Sequence, residues 1–327
     1  MIEIKNLTVK NEGKTYLDDV SFTMARGGIH GLFGVKGSDK DILIDVMCIE
    51  CGFNSGRVAI DGIDSKDQIA YRRKFYVLDE SSRLYIDMTV TEYLYFLAEL
   101  QKIPFEVAEK KIKTVIGLMG LENIKDTLIG NITPTQELRA KFALLLFNAA
   151  NVEVYILNDA LDNVDKKTAE ELKGIIKRLA EKKTVLLAST KLSVMEDFCD
   201  TLTIISNGRV VASDSVENLR AILAKTQVLV MSVRGSEESV LSAVSSIEGI
   251  IDCSVCQGTG GVLSVKLEYD GKTEIRDSVF AALAKEGCPI LSMAVESLSL
   301  SDVCLKISDA SETVSSEQSS QKRRNKK

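Results

Sequence analysis

The residues best suited to chemistry lie in 31–42, GLFGVKGSDKDI, where an apolar strand runs into a helix. Gly34, Gly37 and Lys40, with Val35, Lys36, Ser38 and Ile42 between and after them, are spaced like a loop that binds phosphate. In such a loop backbone N–H groups wrap phosphate oxygens at a helix N-terminus, and the lysine reaches the outer phosphates. Asp39, however, stands where the loop needs its last glycine, and Asp41 where it needs the hydroxyl that holds Mg²⁺. Two like charges ~4 Å apart at an effective dielectric of ~20 repel by about 4 kcal/mol, enough to cancel what Lys40 contributes toward a phosphate. A carboxylate also ligates Mg²⁺, so Asp41 is either an obstacle or an unusual metal ligand. Taken alone, G-x-x-x-x-D-K-D is a weak match, and a plain strand–turn–helix fits it better.

The rest of the chain must position those residues. Its 327 residues leave room for two domains, and 45% hydrophobic with 27% charged residues is a globular composition. A net charge of −6 and the absence of tryptophan do not suit a nucleic-acid surface. No apolar run is long enough to span a bilayer, and the N-terminus reads as a strand, so the body is expected in the cytoplasm. The single histidine, His30, excludes a His-rich metal site and fits the core of a strand. Seven cysteines in such a chain read as reduced thiols, and the pairs Cys48/Cys51 and Cys253/Cys256 as a helix end and an alternating strand instead of a zinc site.

Up to residue 224 strands and helices alternate. IEIKNLTV, LDDVSFTM, GIHGLFG, VEVYIL and TVLLAS read as strands; DKDILIDVM, TVTEYLYFLAELQ, FEVAEKKIKTVIGLMGL and KKTAEELKGIIKRLA read as helices, and another starts at Pro134. This order predicts an α/β fold with a parallel sheet and a helical subdomain at about 88–150. Residues 225–307 change to β-α-β-β-α-β, a ferredoxin-like α+β domain. Its strands lack the stacked aromatics of RNA-binding relatives of that topology, so no nucleic-acid partner is expected. Residues 308–327 are Ser-rich, end QKRRNKK, and read as a disordered tail.

LDDVSF, DMTVTEYLYFLAEL, ILNDALDNVD and LLASTKLSVMEDFCDTLTIISNGRVVASDS follow one another as landmarks of the ATP-binding-cassette (ABC) ATPase do, and the chain resembles that P-loop NTPase family. The C-terminal domain, closing in VESLSLSDVCLKIS, is similar to those of ABC-2 type exporters. The resemblance implies ATP and Mg²⁺ as ligands, a transmembrane permease as partner, and a head-to-tail dimer with itself or with a competent ATPase subunit. It also implies a place on the inner face of the cell membrane.

Residue by residue, the resemblance also shows what has changed. The adenine-stacking position falls near Asn11, and the γ-phosphate-sensing glutamine becomes Glu80. The Mg²⁺ aspartate becomes Asn158 and the catalytic glutamate Asp159, which stays six residues before the retained dimer-loop Asp165. A base shortened by one methylene loses its reach to the attacking water. The switch histidine becomes Thr190. The signature is Ile132-Thr133-Pro134-Thr135-Gln136, where Thr133 and Gln136 form a capping box but Pro134 has no N–H to donate. The expectation is a subunit whose hydrolysis is absent or severely slowed; the alternatives are an unusual active ATPase and a soluble non-transport regulator.

Overall fold

The computed structural model describes residues 1–34, 39–79, 82–148, 152–223, 227–245, 247–257, 262–270 and 274–297. Val35, Lys36, Gly37, Ser38, Glu80 and the 308–327 tail lie outside them.

The chain divides into two compact units, Met1–Asp214 and one that begins at Ser215. The first runs β1 (Ile2–Asn11), β2 (Lys14–Met24), β3 (Ile29–Gly34), α1 (Lys40–Met47), β4 (Ser55–Ile60), β5 (Ile63–Asp64), α2 (Gln68–Arg72) and β6 (Phe75–Asp79). It continues with α3 (Val90–Leu100), α4 (Phe105–Met119), α5 (Pro134–Phe147), β7 (Val154–Asn158), α6 (Lys166–Ala180), β8 (Thr184–Ser189), β9 (Thr201–Ser206) and β10 (Arg209–Ser215). The second contains α7 (Val216–Leu223), β11 (Gln227–Arg234), α8 (Glu237–Ser245), β12 (Ile250–Gln257), β13 (Val262–Tyr269), α9 (Arg276–Lys285) and β14 (Ile290–Ser297). α7, which the sequence reading placed before the boundary, groups with the second unit.

One sheet has the order β10-β9-β3-β8-β7-β6, and its β9-β3-β8-β7-β6 pairings are parallel. β3, β7 and β8 are buried at every position, as strands covered on both faces must be, hence their continuous apolar sequences. The first two strands depart from the expected single parallel sheet. Glu12 and Gly13 both take positive φ (49° and 81°), which makes a two-residue turn pairing Asn11 with Lys14. That hairpin commits β1 and β2 to a separate antiparallel sheet, β2-β1-β4-β5. Ile2, Leu7, Leu17 and Ile60 of this sheet share one core with Leu43 and Met47 of α1 and Ile156 and Leu186 of the parallel sheet.

The second unit has strand order β12-β13-β11-β14, with antiparallel pairs, the arrangement expected of β-α-β-β-α-β. Leu229, Met231, Val265 and Leu267 of the sheet pack with Val240, Val279 and Leu283 of the two helices. Among the described residues no helix is long and apolar enough to cross a membrane.

Candidate functional site

Parallel register brings the chemistry together. Asp79 pairs with Asn158, Asn158 with Ala188, and Phe33 with Ser189, so the carboxyl ends of β6, β7, β8 and β3 lie side by side. The crevice at such strand ends is where open α/β sheets place ligands. α1 starts there, after β3, and its N-cap Asp39 has φ 64°, the left-handed region that glycine occupies without cost. Its side chain makes no capping bond, and burial holds its carboxyl above the usual range.

Lys40 is 2% exposed and fully engaged. Its ammonium donates to Asp41 Oδ1 at 2.8 Å, Asn158 Oδ1 at 2.7 Å and Asp159 Oδ2 at 3.0 Å. The side chain of Asp41 is 67% exposed and that of Asp159 24%, so solvent screens the first contact more than the second. Asn158 Nδ2 in turn donates to Asp79 Oδ2 at 2.7 Å. The two residues at the Mg²⁺ positions that the resemblance assigns, Asp41 and Asn158, thus both point oxygens at the Lys40 ammonium. Among the described residues no group of three or more His, Cys, Asp or Glu is placed to hold a metal. Cys48 is buried, which pushes its thiol up to about 12 and leaves it inert.

Asp159 also sits in left-handed backbone, at φ 50°. Its Oδ2 meets Lys40, while Oδ1 is buried without a hydrogen-bond partner among the described residues. Burial is the main influence on its carboxyl and pushes it upward, against the pull of Lys40. Thr190, at the switch position, faces neither residue. Its backbone N–H and its hydroxyl both donate to Asp162 Oδ2, at 3.2 and 3.1 Å. Ser189 Oγ donates to Asp162 Oδ1, and Lys191 Nζ to the Asp162 carbonyl. Sequence reasoning missed Asp162, Ser189 and Lys191; the one available signal was an extra acid between Asp159 and Asp165.

The signature segment keeps its structure. Thr133 Oγ1 accepts from Gln136 N at 3.3 Å and Gln136 Oε1 accepts from Thr133 N at 2.8 Å, with Pro134 opening α5 and Ile132 just before the cap. Thr135, Glu137 and Lys141 of α5 and Asp159 and Asn163 of the loop after β7 line one cleft of about 260 Å³. Asp165 caps α6 by accepting from Thr168 N at 3.0 Å, which holds its carboxyl below the usual range. Asn11 lies apart from these, at the exposed end of β1. Near it, the ammonium of Lys14 lies over the Tyr16 ring, 4.5 Å from its centroid.

Residues 17–161 match the ABC transporter family model. The chain is 25% identical over 229 residues to the petrobactin import ATP-binding protein of Bacillus subtilis, covering 67% of this chain and 88% of that one. It is 28% identical over 232 residues to the methionine import ATP-binding protein of Haemophilus ducreyi, covering 68% and 67%. Among solved structures, an ATP-binding subunit of an ABC transporter superposes with a TM-score of 0.61 at 22% identity, over 68% of this chain and 92% of that one. A dimeric ATP-binding cassette with ADP and Pi gives 0.59 at 21% identity, over 66% and 99%. The first unit, carrying these strand ends and helix starts, has the fold of an ABC transporter ATP-binding cassette.

Proposed function

We propose that this chain is an ABC transporter ATP-binding subunit homologue in which hydrolysis is absent or severely slowed, and which acts on its transporter through structure or regulation. One observation carries the reading: the lysine that would reach the outer phosphates is already bound by Asp41, Asn158 and Asp159. An incoming triphosphate meets two carboxylates instead of a free ammonium. The loss of the switch imidazole at Thr190 and of an N–H donor at Pro134 supports the same conclusion.

The partner is a transmembrane permease, with a second ATP-binding subunit, the same chain or a competent one, completing the pair. Tyr85, 55% exposed, clusters with Tyr93 and Phe96, ring centroids 5.1 and 6.1 Å away, and Ile86 beside it is 62% exposed. Exposed clustered aromatics suit a protein interface. The relatives named above are import proteins; the exporter assignment rests on the C-terminal domain and its closing VESLSLSDVCLKIS.

The second reading, an active ATPase, has one favourable feature, since a carboxyl pushed upward by burial, as in Asp159, is suited to a general base. Calorimetric titration with Mg-ATP, followed by phosphate-release assay with and without the co-purified permease, separates the two. Turnover abolished by Asp159→Ala would overturn the proposal; no turnover with either preparation supports it. Co-purification of an exporter-type membrane protein tests the partner.

A further inference from the structure

Asp159 sits in left-handed backbone at φ 50°, which a residue other than glycine keeps where its surroundings over-determine it. Lys40 alone does not supply that constraint, because it meets the tip of the side chain. The constraint lies in the turn that Asp159 begins. Asp159 N donates to Ala188 O at 2.9 Å, and Asp162 N donates back to Asp159 O at 3.1 Å. The Asp162 carboxylate, in a residue 9% exposed, takes the Ser189 hydroxyl on one oxygen and both Thr190 donors on the other. Lys191 Nζ clamps the Asp162 carbonyl, and Lys191 N returns to Ser189 Oγ at 2.9 Å. The turn after β7 is therefore bolted to the end of β8 at several points, four of them on Asp162.

We propose that Asp162 is a positioning residue that holds Asp159 against Lys40, making the closure of the phosphate-site lysine a property of the β7–β8 junction. Thr190 thereby has a role unrelated to a switch, as a donor that keeps the junction shut. This rests on the reading above, that the Lys40 contacts suppress ATP binding.

The test is calorimetric titration of Mg-ATP into the full chain and its Asp159→Asn, Asp162→Asn and doubly substituted forms, with amide exchange at Thr190 and Lys191 measured in each. If Asp162 acts through Asp159, each single substitution tightens ATP at least tenfold, and the double substitution gains no more than either single one. The Thr190 amide then exchanges at least tenfold faster in Asp162→Asn but not in Asp159→Asn. Unchanged affinity in Asp162→Asn beside a gain in Asp159→Asn overturns the proposal, as do additive gains or no gain in either. If Asp162→Asn does not fold, Ser189→Ala with Thr190→Val removes donors to the same carboxylate and is read the same way. Phosphate release by the wild-type chain would count against the function proposed above, whereas the ratio of Asp162→Asn to wild-type affinity decides this inference separately.

Discussion

Two helices begin at the site, and they begin differently. α5 opens on a capping box that satisfies two orphan amides with its own side chains, with proline where no N–H is needed. α1 opens on a left-handed aspartate whose side chain caps nothing. A helix start built to bind an anion leaves its N–H groups for the ligand, and so depends on that ligand or on a substitute. The start of α5 is self-sufficient, satisfied by its own side chains without any ligand. The start of α1 has no such cap, and the carboxylates of Asp41 and Asp159 instead engage its first residue, Lys40.

The comparison can be broken at α1 first. Lys40→Ala leaves Asp159 and Asn158 facing each other around a cavity without their cation, and should cost about 3 kcal/mol of stability in urea unfolding, since removing one partner of a buried pair strands the other. Adding Asp159→Asn should recover most of that loss. A loss under about 1 kcal/mol for Lys40→Ala would mean the ammonium contributes little and that the two helix starts differ less than the contacts imply. At α5, Thr133→Ala should cost about 1 kcal/mol and Thr133→Ser almost nothing, because only the hydroxyl caps.

A sharper form of the comparison uses opposite signs. Asp39→Gly should leave stability unchanged or raise it by up to about 1 kcal/mol, since glycine occupies φ 64° freely, whereas Thr133→Gly should lower it slightly. Thermal melts of the two variants decide this, and a loss at Asp39→Gly would show that its carboxylate has a structural partner after all. The smallest effect belongs to the sheet beneath. His30 on β3 bonds Thr201 Oγ1 at 2.6 Å and Gly27 O at 3.0 Å, and burial holds its folded pKa below the ordinary value. The unfolded chain therefore takes the proton first, so this part of the stability is complete above about pH 6.5 and is lost as pH falls below it. His30→Asn should flatten that slope in unfolding measured across the range.

What could be read in the sequence is what depends on neighbours along the chain. The Thr133–Gln136 box spans one helical turn, and α6 and β8 have the bounds that periodicity assigns. The hairpin of β1 and β2 was missed because its turn, Glu12-Gly13, puts a charged residue at positive φ, which no pattern marks. Asp39, Asp41, Asn158, Asp159 and Thr190 were legible as residue types at the spacings that the resemblance assigns. Their consequence was not, because Lys40 meets Asn158 and Asp159 across separations of 118 and 119 residues. Asp162 shows in the sequence only as an extra acid, because it matters only once β7 and β8 pair in register and bring Ser189 and Thr190 beside it.

The buried ammonium of Lys40 can also be considered as a matter of competition. Carboxylates fixed within hydrogen-bond reach by a rigid frame act at effective concentrations on the order of molar or far above, whereas any nucleotide arrives from dilute solution. On the function proposed above, the chain carries its own tethered inhibitor, always saturating and never depleted, and ATP supply does not regulate the site by mass action alone. Whatever reopens it has to act on the frame, and a partner that moves β7 against β8 is therefore a better candidate for a controlling signal than the nucleotide itself.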